Sequence, residues 1–159
     1  MSTIGMRTIT VNAAFLQELK EDNHHLRSLL EIARRTLLRE PPAIATPREM
    51  ADLFGELRDQ LAMHFSLEEA FGYFEDALDV APRLSEQADL LKAQHQGLYM
   101  SICEIADEAD QILYQETEID LRSEICERFA EFFDQFSDHE ACENALILEA
   151  FDQDIGVGD

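Results

Sequence analysis

Residues 46–78 read TPREMADLFGELRDQLAMHFSLEEAFGYFEDAL, and this stretch decides the fold. Thr46 stands three positions before Glu49, which is the spacing of a capping box, and Pro47 occupies the first helical position between them. These signals predict a helix that starts at Thr46 and reaches about Leu78. Polar residues interrupt the apolar pattern of this helix, and they are the candidates for a functional role.

The inward seam of this helix contains one histidine and one glutamate. Alternating steps of four and three, the spacing at which bundle helices face one another, place on it Met50, Phe54, Leu57, Leu61, His64, Glu68 and Phe71. His64 and Glu68 lie one turn apart on the same face, so their imidazole and carboxylate can approach a common point. The pattern His64-Phe-Ser-Leu-Glu68 is therefore typical of half a metal site.

The same pattern recurs near the end of the chain as His139-Glu-Ala-Cys-Glu143. It lies on a predicted helix that follows a polar break at residues 115–120 and extends to about Phe151. The seam of that helix is Ile125, Phe129, Phe132, Phe136, His139, Glu143 and Leu146. Two half-sites on two helices can combine if the helices face each other.

A further helix is predicted between the two patterns, from about Leu84 to Tyr114, after a short connection at residues 79–82. Its seam also has one polar interruption, His95. The seam residues are Leu84, Ala88, Leu91, His95, Leu98, Ile102 and Ile105.

A first helix is predicted from near Val11 or Asn12 to about Arg39. It should end at residues 40–42, Glu-Pro-Pro, because the residue before a proline is pushed out of helical geometry. Its apolar stripe consists of Phe15, Leu19, Leu26, Leu30, Ala33 and Leu37.

These four segments and their short connections predict an all-α fold, an up-down-up-down antiparallel four-helix bundle. The bundle should occupy residues 12–151, with terminal tails at 1–11 and 152–159. Two glycines near the C-terminus predict that Asp154–Asp159 is irregular. Only 6 glycines and 4 prolines in 159 residues agree with a helical chain.

The formal net charge of -22 disfavours binding to nucleic acid or to an anionic membrane, since both require clustered Lys and Arg. An odd set of three cysteines without a CxxC pair argues against a disulfide scaffold and favours packing for Cys103, Cys126 and Cys142. Residues 1–13 lack the apolar stretch of a secretory signal. A cytoplasmic protein with reduced thiols is expected.

Five polar residues lie in the inward phase of three helices, and each needs a partner in the core. Burying one unpaired polar side chain costs about 1–3 kcal/mol, and a charged carboxylate costs more. A shared metal would satisfy all five, and a metal-free polar network is the alternative. The five residues are His64, Glu68, His95, His139 and Glu143.

These motifs resemble the hemerythrin-like family, whose bundle domains are also named HHE cation-binding domains. The family pattern is a histidine on helix one, HxxxE on helix two, histidine on helix three, and HxxxE or a close variant on helix four. His64-Phe-Ser-Leu-Glu68-Glu69 is similar to the second helix, and Gln94-His95-Gln-Gly-Leu98 to the third. The resemblance covers about residues 12–151.

The resemblance implies a centre of two iron ions without haem. Glu68 and Glu143 would bridge the irons, and His95 and His139 would bind one of them. His64 and a residue of helix one would bind the other. Imidazole and carboxylate ligands suit iron, although manganese or zinc could occupy such a site.

The chain departs from the oxygen carriers of this family on helix three, where Leu91 and Tyr99 flank His95 instead of a second histidine. Fewer imidazoles leave an open coordination position that dioxygen, nitric oxide, peroxide or water can take. Tyr99 is a possible phenolate ligand or hydrogen-bond donor, with simple packing as the alternative. Cys142, between the ligands of helix four, should border the centre.

Helix one also departs from the family pattern, because its apolar stripe centres on Leu26 and neither His24 nor His25 lies on that stripe. At about 100° per residue, His25 lies at the edge of the stripe and His24 on the solvent side. We expect His25 to supply the imidazole. The competing expectation is that Asp22 or Asn23 faces the metal and both histidines stay outside.

The leading functional expectation is a di-iron protein that binds or senses dioxygen or a related small oxidant. An oxidoreductase that consumes peroxide or nitric oxide is the enzymatic alternative. A metal-free acidic helical interaction module is the third. The partners expected are a small diatomic ligand or peroxide, and a separate protein if the domain is a sensor, but neither nucleic acid nor membrane.

Overall fold

A computed structural model describes residues 21–37, 46–71, 75–114 and 122–158 of the chain. Within these ranges every residue except Thr46 and Ala81 is helical, and none lies in a strand. The predicted all-α class is confirmed. No helix in the described part of the chain combines the length and apolarity that crossing a membrane requires.

The described helices differ in length. The first, α1, is described over residues 21–37. The others are α2 (Pro47–Phe71), the short α3 (Glu75–Val80), α4 (Ser85–Tyr114) and α5 (Arg122–Gly158), and a single 3₁₀ turn (Pro82–Leu84) links α3 to α4.

The second helix begins where the sequence predicts. The Glu49 backbone N–H donates to Thr46 Oγ1 at 3.1 Å, so the threonine side chain caps the helix. Its predicted end near Leu78 is wrong, because α2 ends at Phe71 and a separate helix, α3, covers that residue. In the sequence Phe71 is followed by Gly72, the residue type most favoured just beyond a helix C-terminus.

The third predicted helix, Leu84 to Tyr114, is confirmed by α4. The tail prediction is wrong, since α5 continues as a helix to Gly158. Residues 152–159 contain two glycines, Gly156 and Gly158, and no proline. The other residues of this segment are types that a helix tolerates. The predicted ends of helix one and the break at 115–120 lie outside the described residues.

One apolar core receives side chains from α1, α2, α4 and α5. Its fully buried centre includes Leu26 of α1, Phe54 of α2, Ile102 of α4 and Phe129 of α5. The helix α2 packs on α4, and α4 packs on α5. The described part thus contains five α-helices rather than four, and the up-down-up-down order of a bundle stays a prediction.

A second, smaller apolar cluster lies where α3 meets α4 and α5, and includes Leu84, Ala88, Leu91, Leu146 and Ala150. Along α4 and α5, the residues between the two clusters are polar and buried: His95, His139 and Glu143. The fold therefore holds a polar layer between two apolar ones. That layer is the candidate site.

Candidate metal centre

Six polar side chains are buried in this layer, each with at most 7% of its surface exposed: Asp22, His64, Glu68, His95, His139 and Glu143. In the first half-site, His64 Nε2 lies 2.9 Å from Glu68 Oε1. In the second, His139 Nε2 lies 2.6 Å from Glu143 Oε1. In each HxxxE pair the imidazole therefore contacts the carboxylate of the same pair, as the spacing of one helical turn predicts.

His95 joins the two half-sites. Its Nε2 atom is 3.3 Å from Glu68 Oε2 and 3.4 Å from Glu143 Oε1. The side chains of α2, α4 and α5 thus meet at one point in the interior. The structure brings together five of the six residues predicted from the sequence, and their role as metal ligands stays a prediction.

Two buried atoms of this layer have no hydrogen-bond partner among the described residues, namely His139 Nε2 and Glu68 Oε2. His139 Nε2 is within ion-pair distance of Glu143, but the contact lacks the geometry of a hydrogen bond. A buried polar atom left unsatisfied is costly, and a cation would satisfy both. Ligand atoms of His95, His139 and Glu143 all lie within 4.8 Å of one another, close enough to hold one metal ion.

The other ring nitrogen of each histidine contacts an oxygen outside the layer's centre. His64 Nδ1 lies 2.7 Å from Asp22 Oδ2, and His139 Nδ1 lies 2.7 Å from Gln94 Oε1. His95 Nδ1 lies 3.2 Å from Glu69 Oε1. Metal-binding histidines commonly donate one ring N–H to such an oxygen, which fixes the ring and leaves the other nitrogen for the ion. All three rings point Nε2 toward Glu68 or Glu143.

Asp22 is itself held in place from α2, because the Gln60 side-chain amide donates to Asp22 Oδ1 at 2.6 Å. One carboxylate oxygen therefore binds Gln60 and the other binds His64. This arrangement ties α1 to α2 next to the first half-site.

Aromatic rings surround the imidazoles. Phe65 stacks on His95 with 4.0 Å between ring centroids and 11° between ring planes. Phe136 meets His64 edge to face at 6.1 Å. These rings exclude water and lower the local dielectric, which strengthens every electrostatic contact in the layer.

The pKa values of the layer reflect this burial and the opposite charges within it. Burial by itself lowers the pKa of His64, but its hydrogen bonds with Asp22 and Glu68 outweigh that effect and raise the pKa to about 10. Burial also lowers the pKa of His95, but hydrogen bonds with Glu143, Glu68 and Glu69 outweigh it and raise the pKa to about 9. Burial raises the pKa of Glu68, yet His64 and His95 lower it to about 2. Without a cation, imidazolium and carboxylate charges balance each other.

The expectation that His25 joins the site is wrong in this structure. His24 and His25 are both exposed, whereas Asp22 is buried against His64. The rotation of helix one that would bring His25 inward also requires Ile32 to be buried, and Ile32 is 52% exposed. The buried stripe runs instead through Asp22 and Leu26, one turn apart. The competing expectation holds in that both histidines stay outside, but Asp22 contacts His64 Nδ1 rather than the side of the ring that faces Glu68.

Asn23 takes an intermediate position. Its side chain is half-buried, and its Oδ1 atom is buried with no hydrogen-bond partner among the described residues. Among the described residues, its Oδ1 atom accepts no hydrogen bond from a histidine of the layer.

Tyr99 does not lie at the site. It is 37% exposed, and a hydrogen bond with Cys103 raises the pKa of its phenol. This exposure does not fit a phenolate ligand inside the buried layer, and simple packing holds only in part. The role of hydrogen-bond donor to bound oxygen stays a prediction. The expectation of packing holds in part for Cys103 and Cys126, which are half-buried, but not for Cys142, which is exposed.

A groove of about 410 Å³ leads from the surface to the polar layer between α4 and α5. We refer to it as the His139 groove, and its walls are Gln94, Gly97, Leu98, Gln135, Asp138, His139 and Cys142. Cys142 thus borders the site from outside, as predicted. A Cβ atom added at Gly97 would meet no atom within 4 Å outside its own turn of helix, so this part of the groove has room for a larger residue.

Sequence reasoning missed the residues that contact the Nδ1 atoms from outside the seams. Glu69 and Gln94 each stand next to a seam residue of their own helix, yet each contacts a histidine of a different helix. The adjoining polar pairs Glu68-Glu69 and Gln94-His95 are the signal that could have indicated them. Such a position is turned by about 100° from the seam, toward the neighbouring helix.

The family comparison agrees with this site. The model of the hemerythrin HHE cation-binding domain matches residues 14–151. The chain therefore belongs to the hemerythrin HHE family, a class of cation-binding helical domains, and the His/Glu layer is its candidate cation site. Comparisons with curated proteins and with solved structures give no match.

Proposed function

We propose that this chain is a non-haem di-iron protein that binds or senses dioxygen or a related small oxidant. The observation that carries the proposal is the convergence of two HxxxE pairs and His95 around buried atoms without hydrogen-bond partners. A purely structural polar network would satisfy those atoms, whereas a cation centre needs them free.

The donor set favours iron. It consists of imidazole nitrogens and carboxylate oxygens, and the described layer contains no cysteine sulfur. Glu68 and Glu143 lie between the histidines and would hold two irons together with them, His95 and His139 serving one iron and His64 the other. Manganese or zinc can use the same donors.

If iron is bound with an open coordination position, it would supply reversible binding or reduction of a small oxidant. The residues around it provide selectivity by size and polarity. The His139 groove offers a route from solvent, while Phe65 and Phe136 exclude water from the imidazoles. Asp22, Glu69 and Gln94 hold the rings in position from outside.

The charge of the chain limits its partners. A net charge of -22 favours neutral small ligands and cations over anionic polymers. If the domain is a sensor, we expect its output to pass to a separate protein in the cytoplasm.

The test is ligand binding to iron-loaded protein. We expect its optical spectrum to change on exposure to dioxygen and to change again when azide is added, while chelator-treated protein shows neither change. Sustained consumption of excess peroxide or nitric oxide would instead assign the enzymatic role. An iron-loaded protein whose spectrum responds to none of these molecules would contradict the proposal.

A further inference from the structure

We infer that the two cation positions of this layer are unequal. The tight position consists of His95, His139 and Glu143, and the weaker one of His64 and Glu68. Residues 21–37, the described part of helix one, add no imidazole to the weaker position, and Asp22 holds the His64 ring. The inference deepens the proposed function and rests on it. It concerns this chain's own residues and the order in which cations fill the layer.

The tight position follows from three donor side chains that lie close together, one of which has a buried nitrogen without a hydrogen bond. Ligand atoms of His95, His139 and Glu143 lie within 4.8 Å of one another. His139 Nε2 is buried without a hydrogen bond, and its Nδ1 is engaged by Gln94 at 2.7 Å. The ring is therefore oriented in advance, with one nitrogen left for an ion.

The weaker position has fewer donors available. Both nitrogens of His64 are engaged, Nδ1 with Asp22 at 2.7 Å and Nε2 with Glu68 at 2.9 Å. A cation must displace a His–Glu contact at either position, His64–Glu68 at 2.9 Å or His139–Glu143 at 2.6 Å, and Glu68 Oε2 has no hydrogen bond, so the difference between the positions lies in the number of donors. Only one imidazole and one carboxylate of the described residues face a cation at the weaker position.

Helix one adds no imidazole to this second position. His24 and His25 are exposed, and Asp22 is the buried polar side chain of residues 21–37, the described part of that helix. Both oxygens of Asp22 are already engaged, one by His64 and one by Gln60. Asp22 is thus a positioning residue that acts through His64.

The consequence is a difference in affinity between two steps of cation binding. A site with two imidazoles and a carboxylate binds a divalent cation more tightly than one with a single imidazole and a shared carboxylate. We expect dissociation constants that differ by about tenfold or more, which is a free-energy difference of about 1.4 kcal/mol.

The test is a titration of metal-free full-length protein with Co²⁺, followed by calorimetry and by the cobalt absorption bands. The matched variants are His139→Gln and His64→Gln, one from each HxxxE pair. We expect the wild type to show a tight step and a weaker one, His139→Gln to lose the tight step, and His64→Gln to keep it. Asp22→Asn should weaken only the second step, by roughly tenfold.

Two outcomes overturn the inference: two steps of equal affinity in the wild type, or loss of the tight step in His64→Gln. Circular dichroism checks that each variant is folded, and the wild-type titration decides the question if a variant is not. Two equal binding steps, together with a dioxygen response of the iron-loaded wild type, would overturn this inference and leave the proposed function standing. Absence of any cation binding would overturn it together with the proposed function.

Discussion

Asp22 and His64 form a buried contact between α1 and α2, with 2.7 Å between Asp22 Oδ2 and His64 Nδ1. The contact places a carboxylate behind the imidazole, on the side away from Glu68. The described part of helix one therefore contributes a residue that orients the His64 ring.

Asp22→Ala should destabilise the metal-free protein by about 3 kcal/mol, because it leaves the His64 imidazolium buried without one of its partners. His25→Ala is the matched control from the same helix, and its exposed side chain should change stability by less than about 0.5 kcal/mol. Thermal unfolding and cation content of both variants provide the measurement. Loss of cation from His25→Ala would show that this histidine, and not Asp22, serves the site.

Glu143→Ala should abolish tight cation binding and lower stability by about 3 kcal/mol, since Glu143 contacts both His139 and His95 in the interior. Glu149→Ala is its control on the same helix. Glu149 is half-exposed and lies 3.8 Å from Arg83, so its removal should cost less than about 1 kcal/mol. Equal iron content in wild type and Glu143→Ala would contradict the assignment.

The seams show how much of the site could be predicted from the sequence. Alternating steps of four and three place His64, His95 and His139 inward, and all three are buried. This works because the burial of apolar neighbours such as Leu61, Leu98 and Phe136 fixes the rotation of each helix.

The contacts around the seams could not be predicted in the same way. Whether Glu69 or Gln94 reaches a facing ring depends on the distance and the rotation between two helices, which periodicity within one helix does not contain. On helix one the apolar stripe places His25 off its centre. The prediction for His25 is wrong because it gives more weight to the imidazole as a metal ligand than to the position of the residue around the helix.

The pH dependence of the metal-free protein should differ from that of cation binding. The pKa values of His64 and His95 are raised from 6.5 to about 10 and about 9, so their stabilisation is complete below pH 6.5 and is lost as pH rises through those values. The pKa of Glu68 is lowered from 4.5 to about 2, so its stabilisation is present above pH 4.5 and is lost on acidification toward pH 2.

The metal-free protein should therefore melt at a lower temperature as pH rises from 6.5 to about 9. Cation affinity should rise over the same range, because imidazoles must lose protons to bind a metal. Melting curves and Co²⁺ titrations at both ends of the range test the pair of trends. A melting temperature that rises with pH in the metal-free protein would contradict the charge assignment of His64 and His95.

Gly97→Leu should slow the entry of small ligands, because the new side chain would extend into the open His139 groove. Gly55→Leu is the control, since Gly55 lies on α2 and does not line that groove. Stopped-flow binding of azide to iron-loaded protein measures the effect as a lower association rate with unchanged iron content. Equal rates in both variants would mean that ligands enter by another route.

Iron binding by the buried layer of histidines and glutamates is the proposal on which the others depend. Its most direct test is the iron content and optical spectrum of the aerobic protein purified without chelators, with His139→Gln beside it. We predict bound iron with charge-transfer bands of a bridged centre in the wild type, and loss of both in the variant. A folded wild type that takes up no iron, even after anaerobic incubation with Fe²⁺, would contradict the account.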